Sequence, residues 1–215
     1  QAYQSAVIAP MFIIMSFAWG LAVFLIVQRV MLGWNNIELD EGIRRRMNNL
    51  LGTFIAAVFY FVVVYHLTNI YYAKQTAFEQ FILLDGGIFP KLFWGGYLTL
   101  GTIVPLLLLY VPSFQRIQGS GIIASVLTIV GGLSFLYVFI IGGQAYPLDM
   151  FPGMEIKSTF FDGHIDNYVP SMPEILLSIG GFGVAFTMTV IAVRVLKFLP
   201  QDDIAKLQAA DALHD

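Results

Sequence analysis

This chain predicts an all-α fold, an integral membrane helical bundle, and three observations carry the prediction. Five apolar stretches follow one another along the 215 residues, near 6–27, 51–72, 92–111, 121–142 and 174–196, each long enough to cross a bilayer as a helix. Hydrophobic residues make up 58% of the chain and charged ones 12%, with a mean hydropathy of +0.76, a balance that soluble domains rarely carry. The stretches show neither the length nor the strict alternation of barrel strands, so each crossing satisfies its backbone hydrogen bonds within itself, as a helix.

Composition also excludes some functions. With 14 acidic against 11 basic residues the net charge is −3, the wrong balance for holding nucleic acid. There is no cysteine, so the chain offers no thiolates to an iron–sulfur cluster, and any such cluster belongs to a partner. The three histidines, His66, His164 and His214, fall in a span, a loop and the tail, so this chain alone does not build a bis-histidine haem site. No metal site or serine-hydrolase signature stands out.

The first span opens at Ala6 and carries Gly20, a small residue that admits close helix packing in lipid. A connection from Gly33 to Asn49 follows, with Glu38, Asp40, Glu41 and the run Arg44-Arg45-Arg46, read first as a topology and lipid-headgroup signal and second as a partner site. The second span ends among tyrosines, and Ala73 to Lys91 leads to the third, where Pro105 predicts a kink. Gly131, Gly132 and Ser134 mark a packing face in the fourth. The connection from Gly143 to Pro173, rich in Gly, Pro and aromatic residues, is read with Ala73 to Lys91 as a packed cap on which a peripheral subunit docks. The fifth span carries Gly180, Gly181 and Gly183 and opens with Ser171, Pro173 and Glu174, the pattern of a structural helix cap in which Ser171 and Glu174 form a capping box.

Basic residues orient the set. Arg29, Arg44, Arg45, Arg46, Arg116, Arg194, Lys197 and Lys206 fall on one side, and Lys74, Lys91 and Lys157 on the other, eight against three. The positive-inside rule then places the N-terminus outside and the C-terminus in the cytoplasm. Residues 1–199 form the transmembrane bundle and 200–215 a cytoplasmic tail. The chain begins with Gln1 and its first span lacks signal-peptide flanks, which predicts a piece of a longer protein with further helices before it.

Ionisable groups at membrane depth are costly and by default suggest function. In the second span Tyr65, Asn69 and Tyr72 recur at intervals of four and three on one helical face, with His66 beside them and Tyr60 and Tyr71 nearby. A histidine that gains or loses a proton near neutral pH, next to hydrogen-bonding Tyr and Asn, has the chemistry to hold a quinone oxygen and handle its protons. Tyr65, His66 and Asn69 are therefore the candidate quinone-binding residues. The competing reading makes Tyr71 and Tyr72 interfacial belt residues and His66 a packing residue.

Several segments resemble the NrfD/polysulfide reductase membrane-subunit family: Ile8-Ala9-Pro10-Met11-Phe12-Ile13 with Gly20 beyond it, and Tyr168-Val169-Pro170-Ser171-Met172-Pro173-Glu174. The run Phe139 to Leu148, continuing through Met150-Phe151-Pro152-Gly153 to Phe160-Phe161-Asp162-Gly163, resembles more narrowly its DsrP-type branch, the membrane subunits of dissimilatory sulfite reductase-linked complexes. The resemblance implies two bundles with eight to ten helices, of which this chain is the C-terminal half. It also implies an inner-membrane subunit that binds no haem or cluster itself. Such a subunit exchanges electrons between menaquinone or ubiquinone and a ferredoxin-like iron–sulfur subunit outside the cytoplasm, alongside other membrane and cytochrome subunits. In the family the quinone pocket lies mainly in the first bundle, so no quinone ligand carries over to this chain.

The function expected is thus electron transfer between the quinone pool and an iron–sulfur partner in sulfur or sulfite metabolism. The chain is either non-catalytic alone or a quinol-oxidising or quinone-reducing subunit. The alternatives are an ion- or solute-conducting bundle lined by the polar face of the second span, and a purely structural membrane anchor.

Overall fold

The computed structural model describes residues 3, 5–34, 39–115, 119–146 and 168–196. The connection 147–167 and the tail 200–215, with the expectations placed on them, lie outside the described residues. Among those described there are five helices long and apolar enough to span a membrane. They are α1 (Ile8–Trp34), α2 (Glu41–Tyr71), α4 (Ile88–Tyr110), α5 (Ser120–Ala145) and α6 (Met172–Val195), with a short α3 (Thr76–Gln80) between the second and third. The chain divides into one unit holding the first four spans and another holding α6.

The helices of the first unit bury stripes with a readable period. In α1 the buried residues are Met11, Met15, Ala18, Ala22, Leu25 and Leu32, and in α2 Leu51, Ile55, Val58, Val62, Tyr65 and Asn69. Alternating steps of three and four residues make a seam that left-handed packing keeps facing its neighbours. Helix α5 follows the same rule through Ala124, Thr128, Gly131, Phe135, Val138 and Gly142.

Helix α4 differs. Six of its buried positions, Phe89, Phe93, Tyr97, Gly101, Pro105 and Leu109, step by four, with Thr102 buried beside them. The cause is a widened turn: Leu92–Ile103 is π-helical, and the Thr99 and Thr102 hydroxyls donate to carbonyls five residues back, on Trp94 and Tyr97. The Val104 amide takes the Thr99 carbonyl, and the α-helix resumes at the turn containing Pro105. Where the sequence predicts a kink at Pro105, the structure has a π-helical stretch, Leu92–Ile103, that ends just before the turn holding Pro105.

Gly101 and Gly131 bring α4 and α5 into backbone contact. A Cβ added to Gly131 would lie 2.1 Å from the Gly101 Cα, and one added to Gly132 would lie 2.3 Å from Trp19 Nε1. The packing expected of Gly131 and Gly132 is realised, whereas among the described residues Gly20 has no atom near enough to need its smallness.

Two connections are more helical than their composition suggests. Helix α2 starts at Glu41, so Arg44, Arg45 and Arg46 ride on its first turns instead of lying in a loop. Asp40 caps it by accepting from the Ile43 amide at 3.2 Å, and Glu41 pairs with Arg44 at 3.2 Å. After α2 the chain makes a 3-10 turn at Ala73–Gln75, then α3, then a π turn at Phe81–Asp85, burying Phe78, Glu79, Phe81 and Ile82. Gly87, at φ +63, turns the backbone into α4 in a conformation open to glycine.

In the second unit α6 opens with Ser171 in extended conformation as N-cap and Pro173 in its first turn. The Glu174 carboxylate accepts from the Ser171 amide at 3.2 Å and from the Tyr168 hydroxyl. The first of these bonds satisfies the N-cap amide, as the Glu of a capping box does.

Candidate functional site

The seam of α2 ends in polar residues. Tyr65 and Asn69 continue the positions of Val58 and Val62 and are each 1% exposed. Both polar groups are thus carried into the core by the same periodicity that buries the valines. His66, one residue off the seam, keeps 12% of its side chain exposed.

Glu79 completes the group. It sits on α3, outside every span, and its side chain is only 2% exposed. His66 Nδ1 lies 2.6 Å from Glu79 Oε2, and Asn69 Nδ2 donates to Glu79 Oε1 at 2.7 Å. The Tyr65 hydroxyl pairs with the Asn69 side chain. A buried carboxylate is expensive unless each oxygen is satisfied, and here one oxygen takes an amide and the other an imidazole.

The opposite edge of the histidine is bare. His66 Nε2 is buried with no hydrogen-bond partner among the described residues. The His66 ring is also part of the lining of a cavity of about 10 Å³, room for roughly one water-sized group. Its walls are apolar apart from Tyr65 and His66: Phe93 packs edge-on to the imidazole at 4.8 Å between centroids, and Phe135 and Phe139 stack at 5.7 Å beyond. Ile82, Phe93 and Phe139, which line this cavity, all come from π-helical turns, so the irregular backbone of three elements converges on His66. Tyr3 packs edge-on to Phe139, one of the lining rings, and its hydroxyl donates to the Ile140 carbonyl at 3.0 Å.

The expected trio Tyr65, His66 and Asn69 is therefore brought together, but Tyr72 is not part of it. Helix α2 ends at Tyr71, and Tyr72 turns to extended backbone and leaves the face it was expected to share. Tyr60, Tyr71 and Tyr72 are 63%, 86% and 57% exposed, and for Tyr71 and Tyr72, at the end of the span, that exposure agrees with the belt reading. Sequence reasoning missed Glu79, which reads as a loop acid. A signal was present: Phe78, Phe81 and Ile82 mark an apolar stripe at helical spacing, and Glu79 falls between them.

The arrangement can hold one proton at a defined atom, offer a lone buried nitrogen to a ligand, and exchange charge between an imidazole and a carboxylate.

Comparison with known proteins agrees with this membrane architecture. The chain is 26% identical to an Hdr-like menaquinol oxidoreductase integral membrane subunit of Archaeoglobus fulgidus, over 93% of this chain and 51% of that protein. It is 27% identical to a protein of Halobacterium salinarum named as a membrane subunit of dimethyl sulfoxide reductase, over 91% of this chain and 46% of that protein. The chain thus spans about half the length of the curated relatives it matches. No solved structure matches it. Residues 1–147, which include α1 to α5 and the whole His66 cluster, match the family described as polysulphide reductase, NrfD, and this multi-pass membrane chain belongs to that family.

Proposed function

We propose that this chain is a membrane subunit of a quinone-linked respiratory complex, passing electrons between menaquinone or ubiquinone and a partner redox subunit. The observation that carries the reading is the buried His66, held on one edge by Glu79, with its other nitrogen unpartnered and its ring among the residues lining an oxygen-sized apolar cavity. A quinone's chemistry needs a protein group that exchanges a hydrogen bond and a proton with its ring oxygens, and His66 offers a nitrogen for that purpose. The relative named as a menaquinol oxidoreductase subunit supports the quinone assignment.

Further parts of the proposal rest on the sequence. The charge bias supports an outside N-terminus and a cytoplasmic C-terminus in the inner membrane. The resemblance supports a ferredoxin-like iron–sulfur partner on the outer side, a role in sulfur or sulfite metabolism, and a second bundle preceding this one. Tyr65, His66 and Asn69 are the proposed quinone-binding residues, and Ser171 and Glu174 position the start of the last helix.

The test is a His66→Ala variant of the full complex in native membranes, with quinol-driven reduction of the partner's clusters as the readout. A loss on the order of a hundredfold, together with lost sensitivity to a quinone analogue, supports the proposal. If turnover is untouched while deletions between Gly143 and Tyr168 release the partner, the chain is an anchor. Solute flux through the isolated chain would instead mark it as a transporter.

A further inference from the structure

We infer that Glu79 fixes the tautomer of His66, so that the site recognises the hydroxyl of a reduced quinol in preference to the carbonyl of an oxidised quinone. The inference rests on the quinone reading and assigns which redox form this nitrogen prefers.

Hydrogen-bond donors decide the tautomer. Asn69 donates from Nδ2 to Glu79 Oε1. The other oxygen, Oε2, faces His66 Nδ1 at 2.6 Å. An ionised carboxylate only accepts, so the imidazole proton of a neutral His66 belongs on Nδ1. Nε2 is then a lone-pair acceptor, and it is this atom that is buried without a partner, on a ring that lines the cavity. Nothing else on the cavity wall near it is ionisable apart from Tyr65, whose hydroxyl is already engaged with Asn69. An acceptor in an apolar recess is satisfied by an O–H and opposed by a carbonyl oxygen, because two acceptors leave each other's lone pairs unpaired. The cavity's size fits that role: it admits one oxygen-sized group and leaves the ring outside.

The same geometry states how the preference is reversed. In Glu79→Gln the side-chain shape is kept. Asn69 Nδ2 still needs an acceptor, which orients the new amide with its oxygen toward Asn69 and its NH2 toward His66. That NH2 donates to Nδ1, moving the imidazole proton to Nε2 and turning the cavity nitrogen into a donor. The ratio of quinol to quinone affinity is expected to fall by on the order of tenfold, with the oxidised form now favoured.

The measurement is nitrogen NMR of isotope-labelled histidine in the full-length protein in lipid nanodiscs, with the His66 ring assigned as the signals that a His66→Gln variant loses. The probes are dimethylnaphthoquinol, kept reduced, and its oxidised quinone. The expected result is a neutral His66 with a protonated Nδ1 and a bare Nε2 whose resonance moves with quinol and much less with quinone. The pattern should be reversed in Glu79→Gln. A wild-type ring with its proton on Nε2, or on both nitrogens, overturns the inference while leaving the quinone reading standing. The assigned tautomer with an Nε2 resonance that neither probe moves overturns the quinone reading at this site, and the quinol preference with it. The tautomer is read with Glu79 in place, so it is decided even if Glu79→Gln fails to fold.

Discussion

The two ends of α2 each carry an acid beside a base, and their contacts are of similar length but opposite character. At the N-terminal end Arg44 meets Glu41 at 3.2 Å, with side chains 55% and 86% exposed. At the C-terminal end His66 meets Glu79 at 2.6 Å, with side chains 12% and 2% exposed. The first pair joins neighbours on one helix, in water that screens it. The second joins two elements across 13 positions of sequence and is one bond of a larger cluster with Asn69 and Tyr65. Burial, more than distance, separates a pair that decorates a helix from one that organises a site.

The sharpest way to break the comparison is Glu79→Ala. It strands the Asn69 amide and the His66 Nδ1 proton in a buried pocket, and each buried donor left without its acceptor costs about 1–3 kcal/mol. Thermal or denaturant unfolding of the purified protein in detergent should register that loss. A change below about 1 kcal/mol would mean that water or a rearranged neighbour satisfies those groups and that the buried end is no different from the exposed one.

Smaller truncations grade the same cluster. Asn69→Ala removes one donor to Glu79 and leaves Oε1 unpaired, and should cost about 1–3 kcal/mol. Tyr65→Phe keeps the ring in its place against Phe139 and deletes only the hydroxyl, for about 1 kcal/mol. If Tyr65→Phe proved worse than Asn69→Ala in the same unfolding assay, the hydroxyl and not the amide would be the group that holds the cluster together.

The contrast also explains what the sequence made visible. Spans were legible because twenty apolar residues in a row leave few alternatives, and Tyr65 with Asn69 was legible because polar residues on an apolar face stand out. The start of α2 was obscured by its own charges: Asp40, Glu41 and the three arginines depress local hydropathy, although Asp40 before Glu41 is the pattern of a capped helix start. Glu79 was harder, since its partners lie 10 and 13 residues away and only the fold of Ala73–Asp85 carries it back onto α2. In α4 the evidence for a widened helix was present as an apolar residue or glycine at every fourth position from Phe89 to Leu109. That pattern resembles an ordinary helical stripe until its steps are compared with the alternating threes and fours of α1 and α2.

At the exposed end the effects should shrink. Asp40→Ala removes the side chain that accepts from the Ile43 amide, and loss of such a cap costs about 1 kcal/mol. Helical content measured by circular dichroism should fall only slightly, through fraying of the first turn, while the NMR signal of His66 stays where it was. A shift at His66 would show that the two ends of the helix are coupled and do not act separately.

The smallest effect belongs to the Arg44–Glu41 pair, and it tests the principle most directly. A double-mutant cycle with Glu41→Ala and Arg44→Ala should give a coupling of about 0.3 kcal/mol, because both side chains are largely solvated and the Coulomb gain is offset by their lost freedom. Raising the salt concentration should abolish that coupling, since ions reach the pair freely. A matching cycle on His66 and Glu79 should give a coupling several times larger that persists in salt, because ions do not enter the pocket around a carboxylate 2% exposed. Equal salt sensitivity at the two ends would mean that solvent reaches Glu79, and a site open to water would no longer reserve His66 Nε2 for the hydroxyl of a ligand.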